Sequence, residues 1–160
     1  MKITRIVAIS DTHGAYKPIE QMFSKFKADV YVHCGDGYRE ADLFRKSGEF
    51  HPLVFVRGNC DVGCPEPTER ELDIDGKKIY ITHGHRHYVK SGMSDLYDLA
   101  ERKGYAAVFF GHTHSPVCSY FKGTWFLNPG SAGMPYDGKP KAAVLDITDT
   151  GVFGFLTELN

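Results

Sequence analysis

The chain has 160 residues, 42% of them apolar and 24% charged, with a formal net charge of −1 at pH 7. That balance is ordinary for a soluble globular protein, and it excludes both the basic footprint of a nucleic-acid binder and a cationic face for an acidic membrane surface. No run reaches membrane-spanning length, and Cys34, Cys60, Cys64 and Cys118 lack the spacing of a disulfide framework, so free thiols in a reducing, cytoplasmic setting are expected.

In chain order, ITRIVAIS (3–10) reads as a buried strand; Asp11 interrupts the apolar stretch and no cleavage site follows, so no secretory leader is expected. Ile19, Met22, Phe23 and Phe26 recur at i, i+3, i+4 and i+7, the stripe of an amphipathic helix. ADVYVHC (28–34) is a second strand, residues 39–46 a weaker helix and PLVFVRG (52–58) a third strand. CPEPTE (64–69) is a proline-bearing connector. ELDIDGKKIYI places Asp75-Gly76 between two alternating segments and predicts a hairpin, because a type I′ turn needs positive φ at both central positions. Met93, Leu96, Tyr97 and Ala100 form another helical stripe, and AAVFFG, GTWFLN, KAAVLDI and VFGFLTEL complete a set of about eight strands. Strand and helix alternate in the first half, whereas the last third is strand after strand; this predicts an α/β domain over residues 1–160 with two packed sheets and helices outside.

Polar residues recur where apolar runs stop: Asp11-Thr12-His13, Gly35-Asp36-Gly37, Gly58-Asn59-Cys60-Asp61, His83-Gly84-His85 and Gly111-His112-Thr113-His114. Singly, each would be a turn or capping residue. Jointly they mark a site, because the carboxyl ends of strands in open α/β sheets converge on the ligand crevice. Gly35, Gly58, Gly84 and Gly111 allow positive φ or close backbone approach beside the polar side chains. The convergent donors are Asp11, His13, Asp36, Asn59, His83, His112 and His114, more than one tetrahedral ion takes, so two adjacent ions sharing a bridging carboxylate are expected. Residues i and i+2 of an extended segment share a face, so in a locally extended turn the two donors of D-x-H or of H-x-H would address one cation or two neighbouring ones. Mixed nitrogen and oxygen donors suit manganese, taken first, as well as nickel, iron, cobalt or zinc, and suit magnesium and calcium less well.

In this order the blocks resemble the calcineurin-like metallophosphoesterase superfamily, whose pattern reads D-x-H, G-D, G-N-H-[DE], H-G-H and G-H-x-H. NPGS at Asn128 to Ser131 and the short chain resemble its small bacterial and archaeal phosphodiesterase branch. The resemblance implies a four-layer α/β/β/α sandwich of two mixed sheets flanked by helices. It also implies Asp11, His13 and His114 at a first metal, Asn59, His83 and His112 at a second, and Asp36 bridging. Asp36, Asn59, Cys60 and His85 are the candidate catalytic residues. Cys60 stands where the family pattern has a histidine credited with assisting the leaving group, which puts the general-acid step in question.

The reaction expected is hydrolysis of a small phosphodiester by a hydroxide bridging the two ions. Two divalent cations against two carboxylates leave a positive surplus suited to charge developing on phosphoryl oxygens. Phosphomonoesterase, cyclic-nucleotide phosphodiesterase and nuclease activities stay open, with discrimination placed in loops around residues 86–93 and 116–122. The alternative from another class is a protein-interaction scaffold resembling the retromer subunit with a vestigial metal site, against which the retained Asp36 argues. His85 either touches substrate or caps a turn; His33 packs behind the site; Asp61 orients Cys60 or a ligand; Arg57 is a strand-end arginine; Arg86 and His87 belong to a solvated loop; and His51 is on the surface. Tyr16, Tyr38, Tyr88, Tyr120, Phe121 and Trp125, without a basic stripe, are assigned to the core or to contacts between copies in a homo-oligomer.

Overall fold

The structure is a computed structural model that describes residues 2–47 and 53–160. His51, and Pro52 at the head of the third predicted strand, lie outside the described residues. The first sheet contains β1 (Thr4–Ile9), β2 (Val30–His33), β3 (Leu53–Phe55), β9 (Lys141–Ile147) and β10 (Val152–Glu158) in the spatial order β10-β9-β1-β2-β3. The second contains β4 (Glu69–Ile74), β5 (Lys77–Thr82), β6 (Ala107–Phe109), β7 (Val117–Phe121) and β8 (Thr124–Asn128) in the order β4-β5-β6-β8-β7. Both sheets are mixed: β1-β2-β3 and β5-β6-β8 are parallel, antiparallel β9 and β10 complete one edge of the first sheet, and antiparallel β4 and β7 complete both edges of the second.

The pleat explains why β1 reads as an unbroken apolar run. Val7 and Ile9 point to α1 (Lys17–Lys25) and α2 (Tyr38–Arg45), packing with Ile19, Met22, Phe44 and Phe55. Ile6 and Ala8 point the other way, into the layer between the sheets, with Val32, Ile79, Phe109, Leu127 and Leu145. A strand covered on both faces needs no polar alternation. On the far side of the second sheet, Val108, Phe110 and Phe126 pack against Leu96 and Ala100 of α3 (Ser94–Lys103). The layers are therefore helix, sheet, sheet and helix, the architecture expected from the sequence. Each fully buried Ile, Leu or Phe contributes about 1.5–3 kcal/mol of transfer free energy.

The hairpin at Asp75-Gly76 forms as predicted, with φ of 52° and 78°. A second hairpin of the same kind joins β7 to β8 through Lys122 (φ 48°) and Gly123 (φ 86°). It gave no sequence signal, because lysine is not a residue that favours the left-handed region. Residues 116–122, expected to be a loop near the site, are instead mostly edge strand β7. The other expected loop, 86–93, contains two 3-10 turns, His85–His87 and Val89–Ser91. Among the described residues no helix is long and apolar enough to cross a membrane.

Candidate metal centre

All five polar blocks leave strands at one end of the two sheets, and their side chains meet there. Asp11 and His13 follow β1, Asp36 follows β2, Asn59 follows β3, His83 follows β5, and His112 and His114 follow β6. The parallel strands place these tips side by side although the residues span a hundred positions of sequence.

The D-x-H and H-x-H spacings work differently from the extended geometry expected. Asp11 (φ 53°), His13 (φ 45°), His112 (φ 70°) and His114 (φ 61°) are all left-handed, as is Asp36 (φ 60°). Such backbone costs on the order of 1–3 kcal/mol per residue and persists only where its surroundings enforce it, a pattern characteristic of functional sites. Two glycines make the enforcement possible by size. A Cβ on Gly58 would lie 2.1 Å from Asp36 Oδ1, and one on Gly111 would lie 2.1 Å from Ser10 Oγ and 2.5 Å from Asp11 Oδ2.

The ligand-bearing atoms are then fixed one at a time. Asp11 Oδ2 accepts from Ser10 Oγ at 2.5 Å and from the His112 backbone N–H at 3.1 Å, leaving Oδ1 buried with no hydrogen-bond partner. Asp36 Oδ1 accepts from the Cys60 N–H at 2.8 Å, leaving Oδ2. His83 Nδ1 donates to the Cys34 carbonyl at 2.7 Å, leaving Nε2. The remaining atoms face one small volume. Asp11 Oδ1 lies 3.2 Å from His114 Nε2, 3.5 Å from His13 Nε2 and 3.9 Å from His83 Nε2. Asp36 Oδ2 lies 3.2 Å from His83 Nε2 and 3.9 Å from His13 Nε2, and Asn59 Oδ1 is 3.1 Å from His83 Nε2. The His83 and His112 rings are 5.0 Å apart.

So many acceptors in one place need a positive charge. Burial opposes the imidazolium of His83, yet the Asp36 hydrogen bond and the Asp11 carboxylate outweigh it and lift its pKa above the ordinary range. Burial also works against ionised Asp36, but His83 more than compensates, and its carboxyl sits well below the usual range. His112 is pushed down to about 4, first by burial and then by His83. Two groups have donor atoms mutually close enough to hold an ion: Asp11, His13 and His114, and Asp36, His83 and His112. A third, His13, Asp36 and Cys60, overlaps them. Orphaned Asp11 Oδ1 and the tied-off tautomer of His83 fit divalent cations, which prefer ligands with such outer partners.

Of the other expected site residues, His85 sits beside the cluster, its ring 5.4 Å from His83 and 6.1 Å from His112, with Nδ1 buried and without a partner. Burial and then His83 hold its pKa down. Cys60 is exposed, Asn59 Nδ2 approaches its sulfur at 3.5 Å, and burial followed by the Asp36 charge raises its thiol pKa. The four cysteines are free, so Cys60 and Cys64 form no disulfide. His87 is not a solvated rim residue: Nδ1 meets Asp95 at 2.7 Å and Nε2 meets Tyr80 Oη at 2.8 Å. Arg57 donates to the Cys64 carbonyl and Arg86 to Thr68.

The supporting residues were the least legible in sequence. Asp61 accepts four backbone N–H groups, from Asp36 and Gly58 at 2.8 Å and from Gly37 and Tyr38 at 2.9 Å. It thereby ties the Asp36 loop, the Asn59 loop and the start of α2 into one unit. His33, fully buried, has its Nε2 2.9 Å from Thr12 Oγ1, which donates to Glu40; Glu40 also accepts from the Gly14 N–H. Burial and then His83 push His33 down to about 3, so it is neutral and braces the Asp11 turn from behind. Asn128 donates to the Gly111 carbonyl and to Thr113, and Ser131 to the Asp11 carbonyl. NPGS is thus a strut for two of the ligand turns.

The family model for the calcineurin-like phosphoesterase superfamily domain matches residues 4–150. The chain belongs to that family. A probable metallophosphoesterase of Bacillus subtilis, YsnB, is 32% identical over 132 residues, covering 81% of this chain and 76% of the relative. The phosphodiesterase YfcE of Escherichia coli is 27% identical over 161 residues, covering 85% of this chain and 83% of the relative. A Streptococcus pneumoniae protein described as a predicted phosphoesterase superposes with a TM-score of 0.84 at 26% identity, covering 99% of this chain and 91% of that one. Vacuolar Protein Sorting 29 from Cryptosporidium parvum superposes with a TM-score of 0.74 at 17% identity, covering 98% and 97% of the two chains; that likeness is one of fold. The family is one of metal-dependent phosphoester hydrolases, and this metallophosphoesterase chain carries groups able to ligate metals.

Proposed function

We propose that the protein is a dinuclear-metal phosphodiesterase acting on a small phosphodiester, with Asp11, His13 and His114 holding one ion, Asn59, His83 and His112 the other, and Asp36 shared. The observation that carries this reading is the position of Asp36 Oδ2, within 3.9 Å of a histidine nitrogen from each group, opposite the orphaned Asp11 Oδ1. When bound, two divalent ions would supply an activated water and a positive field for in-line displacement at phosphorus. The chain's own part is preorganisation: Ser10, the Cys60 N–H and the Cys34 carbonyl hold the ligand atoms in place before any ion arrives. His85, whose ring stands 5.4 Å from that of His83 and 6.1 Å from that of His112, is the residue assigned to hydrogen-bond a phosphoryl oxygen. Cys60, whose N–H donates to Asp36 Oδ1 and whose sulfur lies 3.5 Å from Asn59 Nδ2, takes the position beside the leaving group.

Purified protein loaded with Mn should cleave bis(p-nitrophenyl) phosphate, and an Asp36→Asn, His112→Ala double variant should lose metal binding by calorimetry together with turnover. Wild-type turnover no greater than that of the double variant would favour the interaction-scaffold reading.

A further inference from the structure

Beside His114 lies a pocket of ≈ 150 Å³ whose walls include Pro116, Pro129, Pro135 and Tyr136 and do not include Cys60. Prolines fix φ, so its shape is set before any ligand enters. The wall is also registered to the site. Ala132 N–H donates to the Ser10 carbonyl, Gly133 N–H to the Asp11 carbonyl, and Ser131 Oγ to the Asp11 carbonyl at 2.7 Å. A group held in the pocket is therefore positioned against the turn that carries Asp11.

Tyr136 is 76% exposed and its ring centroid is 6.3 Å from that of His114. At the rim Lys141 Nζ meets Asp137 Oδ2 at 2.8 Å and the Lys139 carbonyl at 3.1 Å, so one lysine is paired with the aspartate and the Lys139 ammonium adds a single positive charge beside the apolar walls. The proline and tyrosine walls favour a ligand by shape and apolar contact. A cavity of about this size with apolar walls takes a single benzene ring.

A second, larger cleft of ≈ 400 Å³ is lined by His13, Asp36, Tyr38, Arg39, Cys60 and Val62 among others. The two have no lining residue in common. Cys60 stands in the larger cleft, and with the leaving group assigned to its side under the reading above, the retained substituent of the ester lies toward His114.

We propose that Tyr136 and the proline-walled pocket form the subsite for a planar ring, aryl or nucleobase, on the retained side of the phosphodiester. The inference rests on the phosphodiesterase reading above and names its substrate class. The ring stacks on Tyr136, a contact tolerant of ring identity because every such ring has a π-face.

Two esters with the same p-nitrophenolate leaving group test it: thymidine 5′-(p-nitrophenyl phosphate) and ethyl p-nitrophenyl phosphate, with the Mn-loaded enzyme. Wild type should prefer the nucleoside ester by roughly 5–20-fold in kcat/KM, expressed mainly in KM, as expected for one partly exposed stacked ring. Tyr136→Ala should bring that ratio close to one, and Tyr136→Phe should keep it. Melting temperatures, unchanged because the side chain is exposed, verify folding of both variants. An equal ratio in wild type and Tyr136→Ala, or its loss in Tyr136→Phe, overturns the subsite while leaving the hydrolase reading intact. No cleavage of either ester by wild type overturns the hydrolase reading, and the subsite with it.

Discussion

Asp61→Asn isolates the support of the centre from its chemistry. The side chain is buried and its two oxygens accept four N–H groups, two on each oxygen. Asparagine keeps one oxygen and turns an NH2 group toward the other two donors, so two buried amides lose their acceptor. At about 1–3 kcal/mol for each unsatisfied group, with some relief by relaxation, the loss is about 3 kcal/mol. For a domain of this size that corresponds to a melting temperature lower by about 5–10 °C. One orphaned pair includes either Asp36 N–H with Gly58 N–H or the two amides that open α2, so the Asp36 and Asn59 loops also lose their common anchor. Scanning calorimetry with EDTA reads the stability, and Mn titration by calorimetry reads the affinity, which should weaken by about tenfold or more, as is usual for outer-shell partners of metal ligands. A melting temperature within about 2 °C of wild type together with unaltered Mn affinity would refute the anchoring role.

Acid should destabilise the metal-free protein through His33. Its folded pKa of about 3 lies below the ordinary 6.5, so between those values the unfolded chain binds more protons, and stability, complete above pH 6.5, declines as pH falls through that window. At pH 5 the difference is about 2 kcal/mol for this one group. Urea unfolding at pH 7.5 and pH 5 should show it, and a His33→Gln variant with the same pH dependence as wild type would remove His33 as the cause. Gly58→Ala should reduce Mn affinity far more than its helix or strand propensity suggests, since the added Cβ meets Asp36 Oδ1 at 2.1 Å and the Asp36 backbone nitrogen at 2.6 Å; calorimetric titration checks this, and near-wild-type binding would contradict the packing argument. With no histidine at position 60, diesters whose leaving group needs no proton should be cleaved faster than alkyl diesters by about 100-fold or more. Equal rates for the two, unchanged in Cys60→Ala, would show that proton donation at this position is irrelevant.

Much of the architecture was readable because it follows from burial. A strand such as TRIVAI, covered by helices on one side and a second sheet on the other, is apolar at every position of its centre, and α1 shows its stripe because Ile19 and Met22 face the core. Asp75-Gly76 was readable because its turn type demands a specific chemistry. β7 was not: its alternation is broken by Cys118 and Ser119, and its turn uses Lys122, which suits the left-handed region poorly. The candidate ligands were readable as residue types at strand ends, but the left-handed backbone that aims them was not, since Asp11, His13, His112 and His114 give no local sign of it. Asp61 and Glu40 were harder still. Apart from Gly58, three residues before Asp61, their partners lie 23 to 28 residues away in sequence, and only the packing of β2, β3 and α2 brings them together.

This separation has a physical origin. Ligand identity is written in side chains, whereas ligand aim is written in backbone groups: the His112 and Cys60 amides fix Asp11 and Asp36, and the Cys34 carbonyl fixes His83. Backbone groups are the same for every residue type and leave no trace in sequence. Their placement depends on the parallel register of β1 with β2, where Ile9 stands beside His33 and the next residues, Ser10 and Cys34, already belong to the site. A slip of one residue there would reverse which side chains face the core and would also separate the Cys34 carbonyl from His83. The same apolar alternation that buries Ile6 and Val7 on opposite faces therefore sets the position of the candidate ligand atoms, and core packing and the geometry of the candidate site are under one constraint rather than two.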